Sequence, residues 1–208
     1  IMMNYFYKIL FFITIIFAFD LELGSKMPEK NWALLNIDGQ ELSLDDIKGN
    51  KGTVVIFSSN TCPWVIRWED RYVKIANKFK DKGVNVIAVN SNSARFNGSE
   101  SLENMKQHSN ENNYNFPYAQ DPNSELAKAF GATKTPHVYL FNQNEKLVFK
   151  GAIDDNAKDP NKVNHSYLMD AIKQMLNGEG IKKPISKAMG CSITVSYTHL
   201  TLPTTVFV

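Results

Sequence analysis

The chain has 208 residues, of which 43% are hydrophobic and 21% charged, and its formal net charge is +2. That length holds one domain with a well-buried core plus short tails, and that composition excludes a disordered chain. The near balance of charge argues against a nucleic-acid or acidic-surface partner, and no internal repeat or low-complexity block is present.

Lys8 precedes an apolar run over residues 9–19, closed by Asp20. A cation ahead of a short apolar stretch predicts a secretory signal over residues 1–20, with an uncleaved N-terminal anchor as the alternative. The expected location is therefore the bacterial periplasm or cell envelope, with no stable membrane association once the signal is removed.

Residues 34–42 carry Asp38-Gly39 between apolar flanks, which predicts a β-hairpin because glycine tolerates the turn's positive φ. Residues 53–57 read as a buried central strand. A helix is expected from Pro63, whose missing N–H costs nothing at the first helical position. Its apolar face is Val65, Trp68, Tyr72, Ile75, Ala76 and Phe79, with Arg67, Glu69, Asp70, Arg71 and Lys74 largely opposite. Gly83 stops it, and residues 84–89 form the next strand. Further on, a helix is expected over 100–108 and another over 124–130, capped by Ser124 and stopped by Gly131. Residues 138–141 and 147–151 form a second hairpin, and 165–177 a last amphipathic helix. This order predicts an α/β fold with parallel pairing in its β-α-β opening and helices on both faces. The domain is assigned to residues 21–180, and a tail carrying Cys191 to 181–194. Residues 195–208 read as the translation of a sequencing adapter, so His199 carries no functional weight.

Cys62 and Cys191 are the only cysteines. Cys62 falls on the turn between the central strand and the helix begun by Pro63. Unpaired N–H groups and the positive end of the helix dipole stabilise a thiolate there, and thiolate is the attacking species in disulfide exchange. Ser59 and Thr61 offer hydroxyl groups that could tune it. His137 is a weaker candidate as a proton carrier, and His108 and His165 read as helix-surface residues. The cysteines and histidines show no metal-ligand spacing, and no cofactor is implied.

The chain resembles the thioredoxin superfamily and, within it, the peroxiredoxin-like redoxins related to alkyl hydroperoxide reductase and thiol-specific antioxidant. The resemblance rests on Asn60-Thr-Cys-Pro-Trp-Val65 with Glu69-Asp-Arg71, Ala88-Val-Asn-Ser-Asn92, Phe116-Pro-Tyr118 with Asp121, Gly131-Ala132 with Thr135-Pro136, Gly151-Ala-Ile-Asp-Asp155 and Gly190-Cys-Ser-Ile193. It covers about residues 27–194. It implies a thioredoxin-like fold, with a central mixed sheet flanked by helices on both faces and an N-terminal hairpin. It also implies a cis Thr135–Pro136 bond beside the reactive cysteine, Pro136 shaping the substrate surface. Cys62 would be the nucleophile and Cys191 a resolving thiol, acting on a thiol/disulfide protein or a small peroxide with an external thiol reductant. Two departures stand out. Val65 occupies the second position of a Cys-x-x-Cys pair, and Val55 the proline position of true peroxiredoxins. The alternative is a non-catalytic binding module in which Cys62–Cys191 is a structural disulfide.

Overall fold

The computed structural model describes residues 20–196. The expected signal before Asp20 and the adapter-like tail beyond Ser196 lie outside the described residues.

The elements in chain order are β1 (Leu34–Asn36), β2 (Glu41–Leu42), α1 (Leu44–Ile47), β3 (Gly52–Ser58), α2 (Pro63–Phe79), β4 (Val84–Asn90), α3 (Leu102–Glu111), β5 (Tyr118–Gln120), α4 (Glu125–Phe130), β6 (Lys134–Thr135), β7 (His137–Asn142), β8 (Leu147–Gly151), α5 (Tyr167–Leu176) and β9 (Cys191–Ser192). Seven strands form one sheet in the order β2-β1-β5-β4-β3-β7-β8, and β6 pairs separately with β9. β3 runs parallel to β4 and antiparallel to β7. The sheet is therefore mixed, with its most buried strand ending four residues before Cys62.

Strand periodicity divides the core in two. Val54 and Ile56 of β3, with Val138 and Leu140 of β7, point to the face covered by α2 and α5, where Val65, Trp68, Leu168 and Ile172 pack on them. Val55, Phe57, Tyr139 and Phe141 point the other way, against Leu44 of α1 and Leu126 and Phe130 of α4. Phe57, Phe130 and Tyr139 meet edge to face, with ring centroids 5.1 to 5.7 Å apart. Burial on both faces explains why β3 reads as an unbroken apolar run rather than an alternation.

Three expectations need correction. Ser124 does not cap α4: it sits in the left-handed region at φ 58° and its side chain makes no cap bond. Asp121 does that work, its carboxylate accepting from the Leu126 and Ala127 amides at 3.0 Å each. Glu69 and Arg71, expected on the solvent face of α2, are both buried. Glu69 accepts from Tyr114 Oη at 3.2 Å and lies 2.7 Å from His108 Nε2, so His108 is a packing partner rather than a surface residue. Arg71 Nε lies 3.1 Å from Asp154 Oδ2, and Asp154 Oδ1 accepts from Trp68 Nε1 at 2.6 Å.

That last pair ties the 152–157 loop to α2. Asp154→Ala removes the buried one of the two carboxylates that face Arg71 and leaves Asp70 at 3.2 Å and the Asn156 carbonyl at 3.0 Å. The expected loss in denaturant unfolding is therefore below about 3–5 kcal/mol, the cost of a buried pair broken with no partner left. A surface pair such as Lys74–Asp70, 2.7 Å apart and largely exposed, contributes less than about 1 kcal/mol.

Candidate active site

Cys62 is the N-cap of α2, with extended backbone at φ −79° and ψ 118° and Pro63 as the first helical residue. Its carbonyl accepts from the Ile66 amide at 3.1 Å, while the sulfur lies at the open end of the helix. The side chain is only 2% exposed. The Thr135–Pro136 peptide bond is cis, and the Thr135 carbonyl lies 2.9 Å from Cys62 Sγ.

Cys191 arrives from the far end of the chain. Its strand β9 runs antiparallel to β6, with Cys191 opposite Thr135 and Ser192 opposite Lys134. Beyond it, the Ile193 amide donates to the Thr133 carbonyl at 3.0 Å, and the Thr194 amide to Asn92 Oδ1 at 3.0 Å. The register puts Cys191 Sγ 2.8 Å from Cys62 Sγ, and both cysteines are free thiols. Gly190 makes this approach possible: a Cβ there would stand 2.0 Å from the Thr135 carbonyl oxygen.

The two sulfurs are electrostatically unequal. Burial works to raise the Cys62 thiol, but hydrogen bonds from the Cys191 and Thr135 side chains and from the Val65 and Cys191 backbones outweigh it, so the thiol is lowered. Cys191 is raised by burial, by donating to Cys62 and by the neighbouring Cys62 charge. Cys62 is the sulfur that ionises first, and Cys191 the one that holds a proton.

Of the residues expected at the site, Cys62 and Cys191 come together, and Pro136 follows Thr135, whose carbonyl meets the Cys62 sulfur. Ser59 and Thr61 lie next to Cys62 in the chain, but their hydroxyls donate to Glu100 Oε1, at 2.5 and 2.8 Å. The expectation that they bond the thiolate is corrected accordingly. Sequence reading missed Glu100. Its only signal was an acid at the start of a predicted helix, which ordinarily means a solvated first turn. Trp64 is half-buried, its ring 5.8 Å from that of Trp68 and 5.5 Å from the Arg67 guanidinium carbon. Among the described residues, no group of three or more His, Cys, Asp or Glu side chains is placed to hold a metal ion, and no helix is long and apolar enough to cross a membrane.

His137 does not supply a proton near neutral pH. Burial pushes its imidazole down to about 4, and Tyr139 Oη lies 3.1 Å from its Nδ1. The unfolded imidazole titrates near 6.5. The unfolded chain therefore binds the extra proton first, and stability falls as pH drops from about 6.5 through 4. Wild type should lose stability across this window more steeply than His137→Gln, as measured by urea unfolding at a series of pH values.

A mixed sheet with helices on both faces and a cysteine at a helix N-terminus, its sulfur against the carbonyl that precedes Pro136, are the features of a thioredoxin-like fold. The Redoxin family profile matches residues 22–166, and the chain belongs to that family. The crystal structure of an uncharacterized conserved protein from Geobacillus kaustophilus superposes with a TM-score of 0.77 at 35% identity, covering 84% of this chain and 93% of that one. The thioredoxin domain of a thiol-disulfide oxidoreductase from Bacteroides vulgatus superposes with a TM-score of 0.53 at 26% identity, covering 64% and 90%. Thiol-disulfide oxidoreductase ResA of Bacillus thuringiensis subsp. konkukian is 26% identical over 129 residues, which is 62% of this chain and 68% of the relative. By class, then, the chain is a thiol-disulfide oxidoreductase of the thioredoxin-like type.

Proposed function

We propose that this protein exchanges disulfides through Cys62 as nucleophile and Cys191 as resolving thiol. The observation that carries the reading is the contact of the two sulfurs, 2.8 Å apart at the N-terminus of α2. The Cys62 thiolate attacks one sulfur of a substrate disulfide, forming a mixed disulfide and releasing the other substrate sulfur as thiolate. Cys191, deprotonated by solvent, then attacks Cys62 Sγ and releases the second substrate thiolate. The substrate gains two electrons, and Cys62–Cys191 becomes the disulfide that an external thiol reductant returns to the start. The known relatives named as thiol-disulfide oxidoreductases support this choice of substrate. The 9–19 apolar run behind Lys8 supports export, which would bring the protein to disulfide-bearing partners.

Titration of residues 21–194 against glutathione tests the reading. A pair reduced in the range of catalytic disulfides supports it. A potential below about −300 mV would mark a permanent staple, and the binding-module alternative would take its place. Hydrogen peroxide given to the same reduced protein separates the peroxide branch: a sulfenic acid trapped on Cys62 in Cys191→Ser, formed no faster than on free cysteine, would exclude it.

A further inference from the structure

We propose that Glu100 is a positioning residue for Cys62: its buried carboxylate holds the turn that presents the nucleophile. The inference rests on the redox reading of Cys62 given above.

Glu100 lies between β4 and α3 and is fully buried. Its backbone is fixed at both ends, the amide donating to the Arg95 carbonyl at 3.2 Å and the carbonyl accepting from Gln120 Nε2 at 2.9 Å. The carboxylate gathers the three residues that precede Cys62. Oε1 accepts from Ser59 Oγ and Thr61 Oγ1, and Oε2 from the Asn60 amide at 2.9 Å. A fourth donor, Asn90 Nδ2, reaches Oε2 at 2.6 Å. All four partners are neutral donors, and together they fill the acceptor positions that face the turn.

The same network continues to the other sulfur. Asn90 Oδ1 accepts from the Asn92 amide at 3.1 Å, and Asn92 Oδ1 accepts from the amide of Thr194, three residues beyond Cys191. Glu100 therefore joins the turn before Cys62 to the tail that carries its partner. Exposed Arg95 adds a weak contact to Thr61 Oγ1 at 3.4 Å, outside the buried set.

Two substitutions test these bonds. A glutamine at this position can keep every bond: its carbonyl at the Oε2 position accepts from Asn60 and Asn90, and its amide at the Oε1 position donates to the Ser59 and Thr61 oxygens, which rotate to accept. An alanine leaves the Asn60 amide and both hydroxyls without their partner.

The experiment uses the full chain and two readouts. The effective concentration of the Cys62–Cys191 pair comes from glutathione titration, and the pH profile of Cys62 from alkylation by iodoacetamide in Cys191→Ser. Glu100→Ala is expected to lower the effective concentration by about tenfold or more, and Glu100→Gln to stay within about threefold of wild type. Glu100→Gln, which keeps the bonds, is expected to leave the Cys62 pH profile as in wild type, and Glu100→Ala to move it to higher pH, because a displaced turn takes the sulfur from the groups that lower its thiol. A folded Glu100→Ala with wild-type effective concentration overturns the positioning role. A Glu100→Gln variant whose effective concentration falls by about tenfold or more also overturns it, since its bonds are kept, and this remains readable if the alanine variant does not fold. A wild-type pair that resists reduction instead sinks the redox reading itself, which these Glu100 outcomes leave untouched.

Discussion

Cys62→Ser is expected to abolish disulfide exchange, by roughly a thousandfold or more, whereas Cys191→Ser stops the reaction halfway. The asymmetry follows from the electrostatics of the pair. Cys62 sits at the helix N-terminus and receives hydrogen bonds that lower its thiol, while Cys191 is raised by the neighbouring sulfur. Under the proposed roles, removing Cys62 removes the thiolate that attacks. Removing Cys191 leaves an attacking sulfur with nothing to resolve the mixed disulfide, so substrate remains covalently attached. Mass spectrometry after mixing with a disulfide peptide checks both arms: Cys191→Ser should carry one peptide mass and Cys62→Ser none. Peptide on Cys62→Ser at the wild-type rate would reverse the assigned roles. In the reduced wild type, a small alkylating agent near neutral pH should label Cys62 before Cys191 despite its deeper burial, since the thiolate fraction governs the rate.

Gly190→Ala is the second large effect, and it should act without touching either sulfur. The added methyl would stand 2.0 Å from the Thr135 carbonyl oxygen and 2.5 Å from its carbon. Both are backbone atoms of the strand that β9 pairs with, so no flexible side chain can yield. The tail must lift from β6, which breaks the Thr135–Cys191 register and separates the sulfurs. Closure of the Cys62–Cys191 disulfide should slow by about tenfold to a hundredfold, measured by quenched alkylation after addition of an oxidant. Global stability of the reduced protein should change by less than about 1 kcal/mol, because β9 is two residues long and lies outside the seven-stranded sheet. A closure rate equal to that of wild type would show that the tail reaches Cys62 by another route.

Much of the fold was legible because its strands and helices have strong local signals. Residues 53–57 became β3, lengthened by one residue at each end, and Pro63 began α2 as expected. The hairpins around Asp38-Gly39 and residues 142–146 follow from turn chemistry. The short elements α1, β5, β6 and β9 were not foreseen. Each has only two to four residues, too few to show a period, and β6 and β9 exist only because each is the other's partner. The cap of α4 was misplaced for a related reason. Ser124 has the right residue type at the right distance, but Asp121 reaches the same amides from a turn whose shape depends on Ser91 and Asn90. Glu69, Arg71 and His108 were read as solvated because helical spacing ranks apolar residues inward and does not say which polar ones find buried partners.

The sequence by itself determined the local element that carries Cys62. A buried strand, a short polar turn, a cysteine and a proline opening a helix are consecutive in the chain, and their chemistry is local: strand end, free amides, helix dipole. Only the tertiary structure decided what surrounds that cysteine. Cys191 and Thr135 lie 129 and 73 residues from Cys62, and Glu100 lies 39 residues from Thr61. No spacing rule links positions so distant. Their meeting depends on the parallel register of β3 with β4, on the close approach that Gly190 permits, and on a buried carboxylate that is stable only where four donors converge on it.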